Sequence, residues 1–197
     1  MIKLKGPIRH KGKVFRTKRE MQWAVFLDLC NADYEYKPGT FPISGDDDLP
    51  DTTYTPNFVV HNVEGRVNGN LYIHVSPSLD INEARKICIF SGYEKEGKFY
   101  CEHPIYLVGD IPAGDTIEDV TATVEDFSYN RYPGLTTEDY TPYMFNFQNI
   151  DGDHFTAHPG INNNGKFELF GDDSNYLVDR NDIATMMAIN VARNVTL

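Results

Sequence analysis

Two histidines four residues apart are the first residues whose spacing could do chemistry. In the run His154-Phe-Thr-Ala-His158, a helix would place both imidazoles on one face, where they could bind a transition metal. Gly152, Pro159 and Gly160 argue against a helix there. Because no Glu or Cys stands at a supporting spacing, the pattern favours histidines in a surface loop.

Two further patterns suggest metal ligands. The run Asp151-Gly-Asp-His154 begins like a calcium loop, but its twelfth position is Asn162, where a bidentate glutamate is expected. His74 falls on a predicted strand and could be a ligand, although a strand histidine is more often held by ordinary hydrogen bonds. The sequence has no nucleophile elbow, P-loop, Rossmann glycine pattern or CxxC pair. Metal-dependent hydrolysis is therefore the only enzymatic chemistry that it suggests.

The elements that must position such residues follow from hydrophobic spacing and capping signals. A capping box, Thr17-Lys-Arg-Glu20, begins a helix over about 18–30, and a second helical pattern covers 80–93. Strands are predicted in four short segments, of which the middle two form a hairpin: 34–38, 57–61, 71–75 and 104–109. Asn181 and Asp182 precede an Ala/Met-rich closing helix.

The order of these elements, α-β-β-β-α-β, predicts a mixed central sheet flanked by helices, in the α+β or α/β class. At 197 residues the chain suits one domain with a single core. We expect four regions within it: a basic amino-terminal arm or strand (1–16), the core (17–112), a loop-rich aromatic and acidic insert (113–180) and a carboxy-terminal helix (181–197).

Several segments resemble one known family, the PD-(D/E)XK nuclease-like proteins of phages and bacteria. The stretch Arg19-Glu-Met-Gln-Trp-Ala-Val-Phe-Leu-Asp28 and then Tyr34-Glu-Tyr-Lys-Pro38 is similar to the family's opening. Three strands and the closing helix also have counterparts: Tyr54-Thr-Pro-Asn-Phe58 resembles Y-x-P-D-F, Leu71-Tyr-Ile-His-Val-Ser76 resembles W-I-E-V-K, Pro104-Ile-Tyr-Leu-Val-Gly-Asp110 resembles P-V-Y-L-V-x-G-D, and Ala192-Arg193 resembles the family's A-R. The resemblance covers about residues 14–112 and the closing helix, and it implies a restriction-endonuclease-like core.

The departures from the family pattern bear on function. In the family, the Asp after Pro and the Glu of E-x-K bind a divalent metal, and the Lys positions or activates water. Those positions here are Asn57, His74 and Ser76, and only Glu20 remains of the usual set. Asn lacks the charge, His suits softer metals than Mg²⁺, and Ser cannot replace a cationic Lys. The degenerate motif therefore predicts no catalytic residues, no metal and no cofactor.

An alternative keeps the chemistry. Members of this fold are known to move a catalytic carboxylate or Lys onto the following helix, where this chain has Asp80, Glu83, Arg85 and Lys86. A Mg²⁺-dependent endonuclease could then use Glu20, His74, Asp80 and Glu83. We favour the simpler interpretation, that these are first-turn acids and the polar face of an amphipathic helix.

The charge of the chain is unevenly distributed. Residues 1–20 carry eight basic side chains and one acid, a net +7, so the other residues carry −18 of the total −11. Such an acidic bulk repels a phosphate backbone and disfavours nucleic acid as the partner. The basic start could still touch nucleic acid, as in a nucleic-acid-binding pseudo-nuclease, or be a solvated arm balanced against the acidic surface.

Cysteine usage and hydropathy indicate the compartment. The three cysteines have no CxxC spacing and are odd in number, which favours reduced thiols. No run approaches the roughly 20 apolar residues of a membrane span, and the charged start does not resemble a signal peptide. We expect a cytoplasmic protein with no membrane partner.

These features together predict a non-catalytic regulator that binds another protein. The acidic surface suits a basic partner such as the DNA-binding face of a sigma factor, RNA polymerase, or a restriction or CRISPR effector. Tyrosine anchors contacts and excludes water, and four candidates lie in the insert: Tyr129, Tyr132, Tyr140 and Tyr143. Because the resemblance is to phage-associated proteins, we expect a phage-encoded inhibitor of a host nucleic-acid machine, with the transcription apparatus favoured.

Overall fold

The computed structural model describes residues 7–45, 49–63, 69–77, 80–95, 98–114, 116, 158–170 and 180–196. Within them lie three helices: α1 (Lys18–Leu29), α2 (Ile81–Ser91) and α3 (Asp182–Arg193). The strands are β1 (Ile8–His10), β2 (Lys13–Phe15), β3 (Tyr34–Tyr36), β4 (Phe41–Ile43), β5 (Thr52–Tyr54), β6 (Phe58–Val63), β7 (Gly69–Val75), β8 (Gly92–Lys95), β9 (Lys98–Cys101), β10 (Ile105–Val108), β11 (His158–Ile161) and β12 (Phe167–Phe170).

A four-stranded mixed sheet organises the described residues, with strands in the order β10-β7-β6-β3. Strand β6 pairs antiparallel with β3 and β7, whereas β10 pairs parallel with β7. A parallel neighbour requires a crossover connection, which α2 supplies between β7 and β10. The predicted succession α1-β3-β6-β7-α2-β10 and the mixed α+β class are confirmed. Four separate two-stranded hairpins accompany this sheet: β1-β2, β4-β5, β8-β9 and β11-β12.

Helix α1 begins where the capping box predicts. The Thr17 hydroxyl accepts from the backbone N–H of Glu20 at 3.1 Å, and the Glu20 carboxylate accepts from the backbone N–H of Thr17 at 2.8 Å. The buried Trp23 indole donates to the Gly109 carbonyl at 2.8 Å, just beyond β10. Capping therefore sets the start of the helix, and the indole ties its middle to the end of the parallel strand.

The two faces of the sheet pack against different elements. One face buries Leu71, Ile73 and Val75 of β7 in a core shared with α1, α3 and the β11-β12 hairpin. Tyr72, which alternates with them, packs into a second core with α2 and the β4-β5 hairpin. Because side chains alternate along a strand, each residue of β7 belongs to one layer or the other.

The structure differs from the predicted outline at several segments. The basic residues 8–15 form the β1-β2 hairpin, and Phe15 is buried in the α1 core. Helix α2 ends at Ser91, and the hairpin β8-β9 follows. Residues 158–170, which we placed in a loop-rich insert, form the β11-β12 hairpin, so His158 begins a strand rather than lying in a loop.

This last hairpin belongs to the main core. Ile161, Phe167 and Leu169 are buried beside α1 and α3. The Ile161 N–H donates to the Thr185 hydroxyl at 2.9 Å, which joins the hairpin to α3. The core therefore extends past residue 112 to include this part of the later sequence. In the described part of the chain, no helix is both long and apolar enough to cross a membrane.

Candidate functional site

A buried carboxylate lies where α1 meets the central sheet. Glu20 is 1% exposed. One of its oxygens accepts from the Thr17 N–H at 2.8 Å and from the Tyr36 hydroxyl at 3.2 Å. The other oxygen accepts from the Asn57 side-chain amide at 2.8 Å, and an Arg16 guanidinium nitrogen lies 3.7 Å away. A buried charge is tolerated when it is paired and hydrogen-bonded, and Glu20 meets both conditions.

Both ends of the Asn57 side-chain amide are used. Its Nδ2 donates to Glu20, and its Oδ1 accepts from the Val75 N–H at 2.7 Å. The reversed amide would place oxygen against a carboxylate and NH₂ against an N–H, so these partners decide its orientation. The backbone of Asn57 also donates to the Ile73 carbonyl and accepts from the Lys37 N–H. We call Glu20, Asn57 and Tyr36 the carboxylate–amide cluster.

Tyr36 closes one side of the carboxylate–amide cluster. Its hydroxyl accepts from the Arg16 N–H at 3.3 Å and donates to Glu20. Burial raises the pKa of Tyr36, and the charge of Glu20 adds to the rise against a lowering contribution from the Arg16 N–H. The phenol therefore stays protonated at neutral pH and acts as a donor to the carboxylate.

A second polar group lies on the α2 side of the sheet. His74, 6% exposed, has its Nδ1 at 2.9 Å from the Tyr54 hydroxyl and its Nε2 at 3.3 Å from a Glu83 carboxylate oxygen. The Nε2–Glu83 approach satisfies the distance for an ion pair but not the geometry of a hydrogen bond. Burial and the nearby Glu83 charge raise the pKa of Tyr54 well above its ordinary value. We call these three residues the histidine cluster.

The two clusters lie in different layers. His74 alternates with Ile73 and Val75, which pack towards α1, and its partners Tyr54 and Glu83 belong to the β5 and α2 side. The contacts of Asn57 lead to Glu20 and those of His74 lead to Glu83, so the residues expected for a rearranged endonuclease site fall into two layers.

The other candidate residues have ordinary structural positions. Asp80 accepts from the Glu83 N–H at 2.9 Å, which caps the first turn of α2. Ser76 continues the parallel pairing through its N–H to the Val108 carbonyl at 2.8 Å. Lys86 lies half-buried on α2. Among the described residues, no group of three or more His, Cys, Asp and Glu side chains is placed to hold a metal ion.

Two site residues were missed by sequence reasoning. Tyr36 and Tyr54 both fall in segments that carry the family resemblance, but we treated them only as strand residues. A tyrosine at a strand end beside a predicted buried carboxylate or histidine is the signal that could have found them. The four tyrosines predicted as partner contacts and the histidine first considered as a metal ligand lie outside the described residues: Tyr129, Tyr132, Tyr140, Tyr143 and His154.

Comparison of the chain with protein-family models, curated proteins and solved structures gives no match in any of the three.

Proposed function

We propose that this protein is a non-catalytic, protein-binding regulator built on a nuclease-like, restriction-endonuclease-like scaffold. The observation that carries the proposal is the hydrogen bond that the Asn57 side-chain amide donates to the Glu20 carboxylate at 2.8 Å. Asn57 stands where the resemblance would place a metal-binding aspartate. The succession of elements around the mixed sheet supports a nuclease-like fold. The Asn57–Glu20 hydrogen bond supports the absence of metal-dependent hydrolysis.

The Asn57–Glu20 hydrogen bond opposes metal binding for a simple reason. A hard cation such as Mg²⁺ needs several oxygen ligands in a demanding geometry. The oxygen of Asn57 is committed to the Val75 N–H, and its NH₂ group faces the carboxylate that a cation would need. Asn57 carries no charge and donates a hydrogen bond to Glu20, so the Glu20 carboxylate has its partners without a metal ion.

The amino-terminal basic residues support a protein partner over nucleic acid. Lys11 lies 3.2 Å from the Asp28 carboxylate, and Arg19 lies 2.6 Å from that of Asp110. Lys13 lies over the Tyr34 ring at 4.1 Å, and Arg16 pairs with Glu20. Part of the positive charge of residues 1–20 is thus matched within the fold, which weakens it as a phosphate-binding surface.

The partner that fits is a basic, nucleic-acid-binding protein. An acidic surface steers association with a positive face and repels nucleic acid from it. We propose that the protein is phage-encoded and acts in the host cytoplasm on a host nucleic-acid machine. The transcription apparatus, through a sigma factor or RNA polymerase, is the favoured target, and a restriction or CRISPR effector is the other.

Binding to purified bacterial RNA polymerase, with and without sigma factor, tests the proposal. We expect a stoichiometric complex by size-exclusion chromatography that weakens as salt is raised and that competes with promoter DNA. Replacing Tyr129, Tyr132, Tyr140 and Tyr143 with Ser should weaken the complex. The control is Tyr93→Ser, which changes a tyrosine outside the insert of residues 113–180.

The same binding assay with purified restriction and CRISPR effectors distinguishes the two classes of target. Binding to a restriction or CRISPR effector, but not to RNA polymerase, would identify the effector as the target and would still support the regulator proposal. Binding to none of these proteins, together with retention of DNA in a salt-dependent manner, would overturn it in favour of a nucleic-acid-binding pseudo-nuclease. Replacing Lys3, Lys5, Lys11 and Lys13 with Gln would then weaken DNA binding, while Phe15 stays in the core and Thr17 still caps α1.

An active endonuclease is the second candidate, favoured by one observation, the 3.3 Å approach of His74 to Glu83. A histidine and a carboxylate at this separation could share a cation with water ligands. Incubation with supercoiled plasmid and Mg²⁺ or Mn²⁺ tests it. Cleavage that is lost in Glu83→Gln, but kept in the exposed control Glu102→Gln, would replace the regulator proposal.

A further inference from the structure

Helix α3 presents an apolar stripe to solvent. Ile183, Met187 and Val191 are 77%, 65% and 51% exposed. Together with Asp182 they are the exposed positions of the helix, so three of its four exposed positions are apolar. Their spacing of four residues places the three side chains in one row along the helix. We call them the α3 stripe.

The opposite side of α3 is already used by the fold. Thr185, Ala188, Ile189 and Ala192 are buried, and three of them pack in the core shared with α1. At about 100° per residue, their mean direction lies roughly 150° from that of the stripe. A helix that is apolar on two opposite sides is typical of one covered on both, whereas a surface helix has a polar outer side.

The charge around the stripe distinguishes the kinds of partner. The segment 181–196 contains one acid, Asp182 at the start of the helix, and one base, Arg193 at its end. It is therefore neutral within a chain of net charge −11. A basic partner would bind the acidic part of the surface. The neutral segment 181–196 therefore suits a partner that is not basic. It is a part of the surface where two acidic copies can approach with little repulsion.

The stripe is also complementary to itself. A two-fold contact requires that residue i meets residue j and that j meets i. Residues 183 and 191 are spaced symmetrically about Met187. In an antiparallel pair, Ile183 meets Val191 of the second copy, and Met187 meets Met187. An antiparallel pair also opposes the two helix dipoles favourably.

We propose that the α3 stripe is a self-association surface, at which two copies of this chain pair antiparallel about a two-fold axis through Met187. One face of a 12-residue helix buries less than the roughly 800 Å² per partner of a standard interface. The dimer is accordingly weak, with a dissociation constant above about 10 μM. This inference does not depend on the regulator function or on the identity of its partner.

Single cysteine substitutions test the register. Met187→Cys places two thiols at the two-fold axis, so mild oxidation should give a linked dimer. Ile183→Cys alone should not, because its two copies lie about 12 Å apart along the axis, beyond the roughly 7 Å between Cα atoms that a disulfide spans. A mixture of Ile183→Cys and Val191→Cys should cross-link. The wild-type protein, with its native cysteines, is the control for background oxidation.

Sedimentation equilibrium over a concentration series tests the association itself. Wild type should show reversible dimerisation that Met187→Glu abolishes, while Val14→Glu, at another exposed apolar residue of 48% exposure, leaves it unchanged. Circular dichroism checks that both variants are folded. A wild-type protein that stays monomeric up to about 1 mM, or equal cross-linking of all three single-cysteine variants, would overturn the proposal.

Discussion

At the scale of single residues, the difference between an amide and a carboxylate at position 57 decides what the carboxylate–amide cluster can do. An aspartate there would face Glu20 across the same 2.8 Å gap, and two ionised carboxylates cannot share that gap without a proton or a cation between them. The Asn57 amide fills the role of that proton or cation by donating a hydrogen bond to Glu20. The cluster therefore contributes to stability in the form that it has now.

We predict that Asn57→Asp lowers the free energy of unfolding by about 2–4 kcal/mol at neutral pH. The shared site raises the pKa of one carboxyl in the folded variant above its unfolded value, so the loss is small at low pH and grows as pH rises through the raised pKa. Urea unfolding at pH 4.5 and pH 7.5 measures it. The control is Asn62→Asp, at an exposed position of β6. An equal loss at both pH values would contradict the explanation.

The same variant tests the nuclease-like interpretation of the scaffold. If the cluster retains the geometry of a metal site, we expect Mg²⁺ or Mn²⁺ at millimolar concentration to raise the melting temperature of Asn57→Asp, because the cation replaces the missing proton. Wild type and Asn62→Asp should not respond. If divalent cations do not raise the melting temperature of Asn57→Asp, the resemblance does not extend to the geometry of the site.

At the scale of elements, the start of α1 carries the site, because the capping box and the carboxylate–amide cluster share Glu20. The carboxylate that accepts from Thr17 also accepts from Tyr36 and Asn57. Local capping thus fixes the side-chain direction that the tertiary contacts require. This coupling explains why a glutamate can be buried here at little cost.

We predict that Thr17→Ala destabilises the protein by about 1 kcal/mol, the usual cost of losing a helix cap. Thr17→Ser, which keeps the hydroxyl, should restore most of that loss. Fluorescence of Trp23, the single tryptophan, reports unfolding because the indole is buried in the folded protein. If Ala and Ser are equally destabilising, the hydroxyl contact is not the source of the effect.

The predicted and observed elements agree where the signal is local and strong. Helix α1 has a capping box, and β6, β7 and β10 are compact apolar runs, so each was predicted within a few residues. The β4-β5 hairpin was missed because its strands have three residues each and little periodicity. Its stability comes from Phe41 and Tyr54, whose rings contact Phe90 of α2 at 5.0 and 4.8 Å. Such a contact is visible only after folding.

At the scale of the whole molecule, the burial of tyrosines makes the stability of the fold depend on pH in the alkaline range. Burial is the main cause that raises the pKa of five of them: Tyr34, Tyr36, Tyr54, Tyr72 and Tyr106. The charges of Asp28 and Glu83 add to the rise at Tyr34 and Tyr54. The folded state therefore holds these protons more strongly than the unfolded chain does.

We predict that the contribution of these tyrosines to stability is constant below their ordinary pKa of about 10 and falls as pH rises above it. The sign follows because the unfolded chain loses protons there while the folded protein keeps them. The two most buried phenols, Tyr54 and Tyr106, should each contribute a slope of about 1.4 kcal/mol per pH unit. Urea unfolding at pH 9 to 11 measures the slope, and Tyr54→Phe should reduce it. Tyrosinate absorbance that rises fully before unfolding would contradict the prediction.

The sequence by itself determined the start of α1 and the order in which α1, three strands of the central sheet, α2 and the fourth strand follow one another, because these depend on local spacing and residue type. Only the tertiary structure decided that Asn57 locks Glu20, that His74 turns to Tyr54 and Glu83 in another layer, and that residues 158–170 join the core. It also decided that α3 keeps an apolar outer face. Hydrogen-bond partners and burial depend on which elements pack together, and residues far apart in sequence carry no local signal of that.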